Sequence, residues 1–158
     1  MRLTRPQALG FANALALVWV GMLFGVSFLA TPAKFLAPSL SLGVALDVGR
    51  HTFEVFSVIE VAAAFALLTA AVLIPQPRRI LFIAESIAAL VALELVWLLP
   101  MLDARVELIL QGGDPPPSVA HSLYVAVDAA KLLLLAGIAW YSQSARRGPS
   151  GSVAIHGG

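Results

Sequence analysis

The chain predicts an all-α fold, a four-transmembrane-helix bundle, on three observations. Hydrophobic residues fill 59% of 158 positions, only 12% are charged, and the mean hydropathy is +0.90, whereas soluble domains carry about 45–50% apolar and about 25% charged residues. Four stretches are apolar for long enough to cross a hydrocarbon core of ~30 Å, which takes about 20 helical residues. Proline- and glycine-rich breaks separate those stretches.

The first span, about 9–30, follows Arg2 and Arg5. It could be taken for a secretory signal, but its apolar stretch exceeds the usual ~7–15 residues, and Phe28 spoils a small-residue cleavage site. It contains Gly21 and Gly25 as a GxxxG, which permits close approach between helices. Trp19 falls in mid-span, away from the aromatic belt expected at an interface. Pro32 and Pro38 mark the end of this segment. A second span, about 52–74, leads through Pro75-Gln76-Pro77 into a third, about 80–99, which Pro100 closes. Between there and the fourth span, residues 101–110 mix Met101, Leu102, Val106 and Leu110 with Asp103, Arg105 and Glu107, the composition of a short interfacial helix. Gly112-Gly113-Asp114-Pro115-Pro116-Pro117 then breaks the chain, and Ser118 is placed to cap a fourth span, about 119–141. Residues 1–141 read as a single membrane domain, and the Gly/Ser-rich 142–158, with His156, as a disordered tail.

Basic residues set the expected topology, because cytoplasmic loops carry the Arg and Lys excess. Arg2, Arg5, Arg78, Arg79, Arg146 and Arg147 fall on one side. Both termini are therefore expected in the cytoplasm, and the protein in a cell membrane of the bacterial inner-membrane type. The bilayer is the expected partner, with a homo-oligomer or a larger membrane complex as further possibilities. Nucleic acid is not expected: the net charge is +1 and no basic run occurs. Cysteine is absent, so no disulfide and no cysteine-ligated cluster can form.

Within or beside these apolar spans sit His51, Glu54, Glu60, Glu85, Glu94, His121, Asp128 and Lys131. A charge at the bilayer centre costs roughly 2.5–3.5 kcal/mol on insertion scales, so such residues face a bundle interior or a wet cavity. Helical rise gives their depth. Glu60 lies fourteen positions before Ile74 and Glu94 fourteen after Ile80, on consecutive antiparallel helices, which makes the two carboxylates level. Asp128 reaches the same layer from the other side, and Lys131 follows it at i,i+3 and can neutralise it. His121 shares a helix face with Asp128, and His51 shares one with Glu54. The expected constellation is a funnel with His51, Glu54 and His121 at its outer mouth and Glu60, Glu94, Asp128 and Lys131 on its floor. Glu85 lies about 180° around its helix from Glu94 and cannot join it.

Three level carboxylates repel one another unless one is protonated, paired with Lys131 or holding a cation. Carboxylates and water suit Mg²⁺, Ca²⁺ or Mn²⁺, and adding histidine brings in Zn²⁺, Cu²⁺ or iron. The spacing selects no metal, and the chain has no HExxH, GxGxxG or CxxC.

Three segments carry a family resemblance: Gly25-Val26-Ser27-Phe28-Leu29-Ala30-Thr31-Pro32-Ala33-Lys34-Phe35, then Gly49-Arg50-His51-Thr52-Phe53-Glu54-Val55-Phe56, and then His121-Ser122-Leu123-Tyr124-Val125-Ala126-Val127-Asp128. In these the chain resembles the four-helix membrane family of transmembrane protein 205 and bacterial proteins with a related domain of unknown function. Asp128 stands where that family shows asparagine. The resemblance implies a four-helix architecture and supplies no activity, cofactor or catalytic residue.

Two functions follow from the residues. One is binding or relay of a proton or metal cation by Glu60, Glu94, Asp128, His121 and Lys131, in transport, sensing or homeostasis. The alternative is an accessory or assembly subunit of a larger membrane complex with no site of its own. No catalytic motif points to an enzyme.

Overall fold

The computed structural model describes residues 4–73 and 78–147. Four long helices account for it: α1 (Arg5–Lys34), α2 (Leu42–Leu73), α3 (Arg78–Leu110) and α4 (Ala120–Arg147), with no strand among the described residues. All four are long and apolar enough to cross a membrane. At ~1.5 Å rise per residue they exceed the hydrocarbon thickness, so their ends reach the headgroup region.

Local chemistry explains where the helices begin. Thr4 donates its backbone N–H to Gln7 Oε1 at 2.9 Å, and Pro6 occupies the first turn of α1, where a missing N–H costs nothing. Ser41 Oγ accepts the Val44 N–H at 3.3 Å at the start of α2. Ser118 Oγ accepts the Ala120 N–H at 3.1 Å, as its place before the fourth span predicts.

Several boundaries differ from those composition indicates, and two π-helical segments explain the main differences. α1 widens over Phe24–Ala30 and α3 over Glu94–Leu98. Each widened stretch is followed within two residues by a proline, Pro32 or Pro100. Proline lacks an N–H and crowds the carbonyl of the preceding turn, and a wider register gives the ring the slack it needs. In α1, Thr31 Oγ1 donates to the Val26 carbonyl at 2.8 Å. The prolines therefore do not end these helices. Residues 101–110 are helical as expected, but they continue α3 rather than forming a separate element. α2 starts ten residues earlier than position 52, which makes much of the 31–50 connection helical. α4 runs on through 142–147, and Ser142 is buried. The Pro-Gln-Pro turn and residues 148–158 of the expected tail lie outside the described residues.

The helices pack in sequence order around a square. α1 lies most extensively against α4, and α2 against α3, with α1–α2 and α3–α4 closing the ring. Alanines dominate the seams, including Ala8, Ala12, Ala16, Ala64, Ala84 and Ala139. Small side chains let helix backbones approach closely where lipid supplies no hydrophobic drive. Phe65, Phe82, Leu133 and Trp140 point outward, a surface suited to acyl chains.

Candidate functional site

Each of the four helices sends a large polar or amphipathic side chain inward to one layer. Glu60 comes from α2, Glu94 opens the π segment of α3, Asp128 and Lys131 come from α4, and Trp19 comes from α1. None of the five is more than 2% exposed. Lys131 Nζ donates to Glu60 Oε1 at 2.7 Å and to Glu94 Oε2 at 2.5 Å, and lies 2.9 Å from Asp128 Oδ1. Oxygens of the three carboxylates fall within 4.8 Å of one another. The Trp19 indole N–H donates to Glu60 Oε1 at 3.1 Å.

Ammonium and carboxylates are thus matched in geometry but not in number. Three acids face one base. Three donor hydrogens of Lys131 and one of Trp19 do not cover the acceptors of three carboxylates. Glu94 Oε1 and both oxygens of Asp128 are buried without a hydrogen-bond partner, Asp128 meeting Lys131 only as an ion pair. The carboxylate spacing would suit a metal, but Lys131 Nζ stands at bonding distance from all three acids, in the space an ion would take.

Beside this cluster lies a cavity of about 310 Å³. Its α4 wall steps from His121 through Tyr124 and Val125 to Asp128. Opposite stand Ser27 and Phe28 of the widened stretch of α1, with Phe35 beyond the helix end and Phe53 from α2. Phe53 and Tyr124 meet edge to face, ring centres 5.0 Å apart. Ser27 Oγ is buried here without a hydrogen-bond partner. Every lining residue falls within 25–35, 49–56 or 121–128.

The expected floor residues Glu60, Glu94, Asp128 and Lys131 are brought together. Lys131 does more than neutralise Asp128, because its reach across the bundle joins three helices. The expected mouth divides. His121 lines the cavity that Asp128 also lines. His51 and Glu54 do not: they are exposed and pair with each other, Nδ1 to Oε2 at 3.1 Å, and His51 lines a separate groove between α1 and α2. At the same end of the bundle, Arg50 contacts Asp47 at 2.9 Å and Glu107 at 3.0 Å. Glu85 is exposed and forms no ion pair among the described residues. Gly21 and Gly25 have open space where a Cβ would stand, so neither makes a close helix contact within the described residues.

Trp19, Tyr124 and Ser27 belong to the site, though residue counting did not select them. Trp19 had a signal: an indole in mid-span must find an acceptor for its N–H in a layer without water. Ser27 and Tyr124 had none, since a serine or tyrosine in an apolar helix is ordinarily satisfied by its own backbone or by packing. No family model matches the chain, and no curated protein and no solved structure matches it, so the site is known by its geometry alone.

Proposed function

We propose that this multi-pass membrane protein binds and exchanges protons at the Glu60–Glu94–Asp128–Lys131 cluster, as part of proton-linked transport, sensing or homeostasis. The observation that supports it is the convergence of three buried carboxylates on one ammonium. Fully ionised, that set leaves two negative charges uncompensated in a medium that tolerates none cheaply. Balance requires added positive charge. A proton needs no room, and the centre is already filled by Lys131. His121, sharing a cavity with Asp128, gives an exchange route toward one end of the bundle. With both termini in the cytoplasm, as the arginine distribution favours, that end faces outward in a bacterial inner membrane. Kinship with the transmembrane protein 205 family is proposed on the three segments that line the cavity.

Proton uptake by the purified protein in liposomes, read with a trapped pH-sensitive dye after a pH jump, tests this reading. Glu60→Gln combined with Glu94→Gln should remove the uptake. Native-like uptake by that double variant would discard the proposal.

A further inference from the structure

We infer that the cavity lined by Asp128 binds a small organic ammonium ion, with Asp128 as counter-ion and the surrounding aromatic rings as the wall that receives its charge. This goes beyond proton binding, which needs no ligand in the cavity. The volume of about 310 Å³ is at the lower end of the ~300–1,000 Å³ found for small-molecule sites. It accommodates a compact ligand rather than a lipid chain or a peptide.

The unsatisfied polar atoms of the lining define the charge of that ligand. Asp128 is fully buried, neither of its oxygens has a hydrogen-bond donor, and its one ion-pair partner, Lys131 at 2.9 Å from Oδ1, is shared with Glu60 and Glu94, while Ser27 Oγ is buried and unpartnered. An ionised carboxylate only accepts, so it calls for a donor or a positive charge. A phosphate, carboxylate or quinone carbonyl would bring another acceptor toward it. The rest of the lining identifies the cation as organic. Phe28, Phe35, Phe53 and Tyr124 contribute aromatic rings, whose faces attract cations within about 6 Å. Phe35 already has such a partner in Lys34, whose Nζ lies 5.2 Å from its ring centre, which leaves the rings of Phe28, Phe53 and Tyr124 for a ligand. A hard cation such as Ca²⁺ or Mg²⁺ would need about six or more oxygen ligands. Here the side-chain oxygens of the lining come from Ser27, Thr31, Tyr124 and Asp128, and Pro32 and Val125 are apolar.

Binding would also change the charge balance next door. The groups that meet Asp128 or its neighbours are Glu60 from α2, Glu94 from α3, Lys131 and Tyr124 from α4, and the Trp19 indole from α1, with His121 at the other end of the cavity. A ligand of fixed positive charge beside Asp128 supplies compensation that a proton otherwise provides, so one proton leaves as one cation enters. That release rests on the proton-binding reading; occupancy of the cavity does not.

Benzyltrimethylammonium is the probe, because it has no proton of its own to give. Calorimetric titration of the full chain in nanodiscs, in two buffers of different ionisation enthalpy, reads affinity and proton release together. Saturable binding is expected, at least tenfold weaker in Asp128→Asn and lost in Val125→Trp, which fills the cavity from its exposed wall and leaves the carboxylates in place. No saturable binding to the native protein overturns the inference. So does equal affinity for uncharged benzyl alcohol, or native affinity in Val125→Trp. Binding with the same apparent enthalpy in both buffers upholds the cavity and removes the exchange of proton for cation instead.

Discussion

Two polar clusters of nearly the same composition and spacing occupy different depths of this bundle. In the inner one, Lys131 gathers Glu60, Glu94 and Asp128 at 2.5–2.9 Å. In the outer one, Arg50 holds Asp47 at 2.9 Å and Glu107 at 3.0 Å, with His51 and Glu54 alongside. Distances hardly distinguish them. Exposure does: the inner side chains are at most 2% exposed and the outer ones 25–72%. Water and salt at the outer end compete for every charge, so its pairs are interchangeable surface contacts. In the inner layer each charge depends wholly on its neighbours, so removing one partner strands the others. Identical contacts thus differ in consequence because of where the helices place them.

That contrast is broken most severely by Lys131→Met. With the ammonium gone, three buried acids lose their common partner, and a loss on the order of 3–5 kcal/mol is expected from denaturation in detergent. Adding Glu60→Gln and Glu94→Gln to the same chain should recover much of it, since the excess charge leaves with the acids. If the triple variant were no more stable than Lys131→Met alone, uncompensated charge would not be the cause. Next comes Trp19→Phe, which keeps the ring and removes one donor from Glu60. A loss of about 1–3 kcal/mol by the same measurement is expected for an acceptor left short in a buried network. The smallest effect belongs to Arg50→Ala, whose melting temperature should match the native protein within error. Raising the ionic strength sharpens the comparison further. Added salt should weaken the outer contacts, seen as faster amide exchange near Arg50 and Glu107, and leave exchange around Glu60 and Lys131 unchanged.

The inner cluster was legible because depth in a membrane helix is a matter of counting. Glu60 and Glu94 stand equally far from the short second connection, and charge in an apolar span has few places to go. What counting could not reach was lateral. A lysine side chain can turn toward its own helix or across the bundle, and only packing decides that Lys131 does both. His51 and His121 looked equivalent in depth, yet one opens on a groove of α1 and α2 and the other on the Asp128 cavity. The helices run on past Pro32 and Pro100 because a proline breaks a helix in the ordinary register and the wider turns before it relieve the clash. Nothing in composition announces the wider turns at Phe24–Ala30 and Glu94–Leu98 that absorb it.

The three-way grip of Lys131 also settles a problem that alanine-rich seams create. Faces built from Ala and Leu repeat themselves from turn to turn, so two such helices could mate almost as well after sliding ~5.4 Å along each other. A single carboxylate displaced by that amount would lose the amine and be left naked in oil. Glu60 and Glu94 therefore serve as index pins: each allows its helix one axial position relative to α4, in a solvent that otherwise gives the helices little reason to prefer one.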